Sequence, residues 1–147
     1  MVTYRSVIAF VLMLLTTMLV SCSNVTEAKP LSYTTAQVEE IQTYAADLLA
    51  LRDRLPELAD LVQKENWTFV RNFIHGPLGE LRTKMIYLSR NLLPTDQAKA
   101  DALAKETFQS LVALDAAAEK ADYKVAVRNL SKTVKGLNDF LELVPNS

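Results

Sequence analysis

Apolar residues recur at intervals of three and four along most of the chain, and strand-type alternation is nearly absent. That interval marks one face of an α-helix. Val38, Ile41, Ala45, Leu48, Leu55, Leu58 and Val62 define a first helix. Thr34 opens it, with Gln37 three residues on to complete a capping box and Tyr33 placed to staple onto Val38. Pro56 lies inside this stretch. The stripe keeps its phase across the proline, which predicts a kink; the alternative is a second short segment carrying proline in its first turn. Trp67, Val70, Ile74, Leu78, Leu81, Met85, Leu88 and Leu92 define a second helix, capped by Asn66 and ended by Pro94. Gly76-Pro77 predicts a local bend or break within it.

A third helix is capped by Thr95, with Asp96 set against its positive end. Its stripe is Ala104, Phe108, Leu111, Asp115 and Ala118, flanked by Leu103, Val112 and Leu114. A fourth carries Tyr123, Val127, Leu130, Val134, Leu137, Leu141 and Val144, then stops at Pro145. No glycine or proline divides the last two, but one helix over 96–143 would be about 70 Å long. A turn is therefore placed at 120–122, with Asp122 as the next cap. Four amphipathic helices with short connections predict an all-α, up-down-up-down four-helix bundle over residues 34–147.

The N-terminus follows a different pattern. Arg5 precedes a run, 7–20, that is apolar except for Thr16 and Thr17. A bilayer core needs about 20 helical residues, so this run has the length of a secretory signal instead. Leu19-Val20-Ser21-Cys22 then reads as a lipobox, ending at the only cysteine of the chain. On this reading residues 1–21 are a cleaved lipoprotein signal peptide, Cys22 carries a diacylglycerol, and 22–33 form a tether. An ordinary export signal with Cys22 incidental is the other reading, and it leaves the position of that cysteine to chance. A lipidated Cys22 leaves no thiol for a disulfide or for catalysis and anchors the protein without spanning the membrane.

Seventeen acidic residues stand against sixteen basic ones. Such balance supplies no global field toward nucleic acid or acidic lipid, and no nucleic-acid partner is expected. His75 is the one histidine, and Asn72 stands where a carboxylate ligand three residues earlier would be needed, so His75 suits an adventitious ion rather than a metal centre. Haem attachment and glycine-rich phosphate loops have no matching residues, and nucleophilic catalysis finds no base beside a nucleophile. The chain therefore reads as a non-enzyme with no stoichiometric cofactor. One charge pattern stands out. Lys124, Arg128, Lys132 and Lys135, at offsets of four, four and three, share one face of the last helix, and Asp139 and Glu142 come only afterwards. The second helix is also basic, with Arg71, Arg82, Lys84 and Arg90 against Glu80. A solvated face and a docking surface for an acidic partner both fit these rows.

The segment NWTFVRNFIHGPLGELRTKMIYLSRNLLP, residues 66–94, resembles the PsbQ family in its cyanobacterial form. Trp67, Val70-Arg71, the run from Gly76 through Arg82, and Leu92-Leu93-Pro94 carry the resemblance. Lipobox, tether and four helices extend it over the mature chain. Plant members carry a longer proline-rich N-terminal segment that this chain lacks, so contacts made by that segment do not transfer. The resemblance implies an extrinsic subunit on the lumenal side of the thylakoid membrane. Its implied partners are the photosystem II core and other extrinsic lumenal subunits. It further implies support of the oxygen-evolving complex, with calcium and chloride retained as a property of the assembled photosystem. A periplasmic lipoprotein adaptor or ligand-binding bundle unrelated to photosynthesis is the alternative.

Overall fold

A computed structural model of the chain describes residues 32–145, and every regular element within them is a helix. The order is α1 (Thr35–Arg52), α2 (Leu55–Gln63), α3 (Trp67–His75), α4 (Leu81–Asn91), α5 (Pro94–Glu119) and α6 (Tyr123–Leu141). The expected signal peptide, Cys22 and most of the tether lie outside the described residues.

The start of α1 follows the expected chemistry. Thr34 N–H donates to Gln37 Oε1 at 2.9 Å, and Gln37 N–H donates to Thr34 Oγ1 at 3.3 Å. Tyr33 reaches further than a local staple, because its hydroxyl accepts from Leu93 N–H at 3.1 Å and ties the head of α1 to the head of α5.

Two helix boundaries differ from expectation and a third takes the form of a break where a bend or break was expected, each for a backbone reason. The kink at Pro56 is a full interruption: Asp53 and Arg54 form a turn, and α2 restarts with Pro56 in its first turn. Proline has no N–H to donate, and its ring excludes the carbonyl four residues back. Both turn residues stay right-handed, with φ of −66° and −89°. Leu48, Leu55, Leu58 and Val62 are therefore still buried in register. The second predicted helix is likewise split at 76–80 into α3 and α4, with Leu78 of the break in the core. A Cβ on Gly76 or Gly79 would lie 2.8 Å from the carbonyl oxygen of Asn72 or His75, so this tight turn has room only for hydrogen there. Finally, Thr95 is not a cap. Leu93, held extended by the proline after it (φ −60°, ψ 152°), is the capping residue, and Pro94 opens α5 at its first position.

The turn at 120–122 falls where expected, and Asp122 Oδ1 accepts from Val125 N–H at 3.0 Å. It is a Schellman closure, with Asp122 N–H bonded to Ala117 O and Ala121 N–H to Ala118 O. The same closure ends α2, through Asn66 N–H to Leu61 O and Glu65 N–H to Val62 O. Asn66 precedes α3, but its side chain makes no capping bond.

α5 packs along α6, and each also meets the earlier helices: α3 and α4 against α5, α1 and α2 against α6. α1–α4 and α2–α3 contacts complete the packing. The fourth stripe is rotated relative to expectation. The buried face of α6 is Ala126, Asn129, Leu130, Thr133, Leu137 and Phe140, while Tyr123 and Val127 are 44% and 39% exposed. Asn129 and Thr133 tolerate burial because they bond to carbonyls one turn back, Val125 O at 2.8 Å and Asn129 O at 2.9 Å. On α5, Thr107 is buried and Val112 is 52% exposed.

The molecule has two distinct ends. Tyr33, the α4–α5 junction and Pro145 meet at one, where Gln42 Nε2 donates to Pro145 O at 2.6 Å. The turns at 64–66 and 120–122 lie at the other, where Trp67 shares a hollow with Ala118 and Glu119.

Candidate functional site

The cationic row of α6 is outward-facing. Lys124, Arg128 and Lys132 are exposed, and none makes an ion pair among the described residues. Lys135 differs: Asp139, one turn on, bonds to its ammonium and holds its pKa above the ordinary lysine value. Of the four cations that spacing places on this face, three are unpaired among the described residues and the fourth is paired with the acid that follows the row. Helical spacing brings an acid four residues later back onto the same face. Lys132 and Lys135 border a hollow of about 500 Å³ between α5 and α6, shared with Glu106 and Asp139.

The basic residues of α3 and α4 serve unequal roles. Lys84 Nζ contacts Asp47 of α1 at 2.7 Å; this hydrogen bond raises its pKa, against the opposing effect of partial burial. Lys84 is therefore a strut between helices. Arg71 Nε and His75 Nε2 converge on a single oxygen, Asp115 Oδ1 of α5, at 3.2 and 3.1 Å. Asp115 is 21% exposed and His75 is 64% exposed. Among the described residues no three His, Cys, Asp or Glu side chains gather in a metal-binding group. Arg82 lies differently again. Its guanidinium carbon stands 4.7 Å from the Phe108 ring centroid, and it makes no ion pair among the described residues. Arg54 stands similarly over Phe73 at 5.0 Å but also pairs with Glu57.

The sequence matches the profile of PsbQ, described as Oxygen evolving enhancer protein 3, over residues 2–145. The chain belongs to the PsbQ family. It is 38% identical over 144 residues to CyanoQ of Synechocystis sp., an alignment covering 97% of each chain. Family membership makes it an extrinsic photosystem II subunit, and an adaptor unrelated to photosynthesis is not favoured. No described helix is long and apolar enough to cross a membrane.

In this PsbQ chain the segment that carried the resemblance is α3, the break at 76–80, and α4. Val70, Leu78, Leu81 and Leu92 of that segment are core residues, so much of it specifies folding. Arg71 and Arg82 instead meet α5 at Asp115 and Phe108. Spacing alone missed both partners. The available signal was a carboxylate, Asp115, standing inside an otherwise apolar stripe.

Proposed function

We propose that this chain is a non-catalytic, lipid-tethered subunit that docks by its cationic surfaces on the lumenal face of photosystem II. By covering that face it slows loss of calcium and chloride from the assembled complex, and it holds no cofactor of its own. The pairwise contacts support four antiparallel rods, α1–α2, α3–α4, α5 and α6, in an up-down-up-down four-helix bundle. Residues 1–21 are removed on export, and the diacylglycerol on Cys22 supplies the two acyl chains that stable anchoring requires. The tether enters at the Tyr33 end and leaves the far end of the bundle, with Lys124, free to meet the complex. The other extrinsic lumenal subunits are its neighbours there.

The observation that carries this reading is the row Lys124, Arg128 and Lys132, exposed and without acidic partners among the described residues in a chain of the PsbQ family. Unpaired surface cations orient and speed association with an acidic surface. The test is recovery from detergent-solubilised thylakoids through a C-terminal tag, read by mass spectrometry, beside a Cys22→Ala control. Photosystem II core subunits are expected with the lipidated chain and are expected to be depleted in the control. A lipidated, folded chain that recovers none of them refutes the docking role.

A further inference from the structure

Resting on that docking role, we infer that the furrow between α4 and α5 is a seat for a partner carboxylate. It would be presented by an acidic segment with an apolar neighbour. The furrow is a hollow of about 400 Å³, with Ile86, Ala104 and Phe108 as its apolar walls and Arg82 and Lys105 as its cations. The Arg82 guanidinium carbon stands over the Phe108 ring, 4.7 Å from its centroid. A guanidinium stacked on a ring is held in orientation while its N–H edge stays free, and that planar edge matches a carboxylate bidentately.

Several other cations of the fold have carboxylates of their own, although Arg90 of α4 and Lys99 of α5 make no ion pair among the described residues. Arg71 and His75 share Asp115, Lys84 has Asp47, Lys135 has Asp139, and Arg54 has Glu57. Arg82 and Lys105 make no ion pair among the described residues, although Asp101 lines the same hollow. Asp101 is engaged instead by the Ser89 hydroxyl of α4, which turns it toward the helix contact. The hollow thus presents two cations, three apolar walls and one acid, Asp101, which accepts from Ser89 through one oxygen, and its net charge of +1 still favours an incoming carboxylate. Val112, one turn beyond Phe108 and 52% exposed, extends the apolar strip for the flanking residue. A phosphate or free anion would find the cations but gain nothing from the walls, so a carboxylate on a protein segment is the occupant.

The test titrates the full-length lipidated chain, fluorescently labelled in detergent, against photosystem II complexes stripped of this subunit. Arg82→Gln should weaken binding about tenfold. Arg82→Lys should fall between it and wild type, since an ammonium keeps the charge and loses the fork. Lys105→Gln should cost a few-fold. Thermal unfolding followed by circular dichroism should not move for Lys105→Gln and should fall by only a few degrees for the Arg82 variants, which weaken or lose the contact with Phe108 but remove no core atom. A photo-cross-linker replacing Gln109, which is exposed and lines the hollow, should capture a partner peptide containing Asp or Glu beside an apolar residue. Arg82→Gln binding like wild type, while a Lys124→Gln, Arg128→Gln, Lys132→Gln triple variant binds weakly, overturns the furrow and keeps the docking role. A captured peptide without an acid also overturns the furrow. Failure of the wild-type chain to bind overturns both.

Discussion

Ala121 and Glu65 turn left-handed, with φ of 51° and 52°, two residues past the ends of α5 and α2, at the position after the C-cap where Schellman closures favour glycine. A Cβ in that region costs about 1–2 kcal/mol. Ala121→Gly and Glu65→Gly should therefore each stabilise the fold by about 1 kcal/mol, read as a rise in thermal midpoint; no rise would mean that the strain is relieved elsewhere. Asp122 and the implausible length of an uninterrupted helix made the position of the later turn legible. Its chemistry was not legible, because the glycine that usually announces it is absent. Gly136 is the reverse case, a glycine whose reason appears only in three dimensions. A Cβ there would collide with Thr107 Oγ1, which is buried without a hydrogen-bond partner among the described residues. Gly136 lets α5 and α6 approach, so Gly136→Ala should destabilise by about 1–3 kcal/mol through overpacking. Adding Thr107→Ala should recover part of that loss, since it removes both the clash and an unsatisfied hydroxyl. If the double variant is no better than the single one, the collision is not the cause.

Among the elements, the stripes of the first two predicted helices were read correctly almost to the residue, because Leu, Ile, Val and Met hold their buried positions. The last stripe was misread by a partial rotation. Apolarity pointed to Tyr123 and Val127, whereas α6 buries Asn129 and Thr133, whose local backbone bonds no apolar pattern reports. Helix breaks follow the same division. Proline marked the breaks at Pro56, Pro77 and Pro94, where kink versus restart was decided by the turn to be closed, whereas the turns at 64–66 and 120–122 contain none. Between elements, the Lys84–Asp47 contact joins α4 to α1 and is the long-range ion pair best suited to a linkage test. The lysine pKa is raised in the folded state, so the pair contributes fully below the ordinary lysine value of 10.5 and is lost as pH rises through the raised one. Asp47 is more than half exposed, which keeps the contribution within about 0.2–1 kcal/mol. Asp47→Asn should be less stable than wild type by that amount in urea at pH 7. The gap should close above pH 10.5, and a gap that persists there would assign the loss to packing rather than charge.

For the molecule as a whole, near-neutrality conceals a sorted charge. Residues 34–66 carry seven acids and three bases, 67–93 one acid and four bases, 94–120 five and three, and 121–147 three and four. The basic stretches, α3–α4 and α6, pack on the acidic α1–α2 and α5. Helices of opposite charge are thus neighbours within the fold, and cations remain in excess only along the two basic ridges. A docking force drawn from such ridges is short-ranged and screened by salt, whereas burial of acyl chains is not weakened by it. The Debye length falls from about 30 Å at 0.01 M to about 3 Å at 1 M, so ridge contacts lose their reach over that range. With the proposed lipid on Cys22, two attachments on one chain would also assist each other, because an anchored protein meets its site at a raised effective concentration. The two terms separate in a salt wash of photosystem II membranes. A lipid-free chain beginning at Ser23 should bind at low salt and be released progressively as sodium chloride approaches 1 M. The lipidated chain should stay on the membrane across that range but lose its cross-links to the complex. Salt-insensitive binding of the lipid-free chain would show that apolar contact, through surfaces such as Val112 and Tyr123, carries the docking in place of the cations.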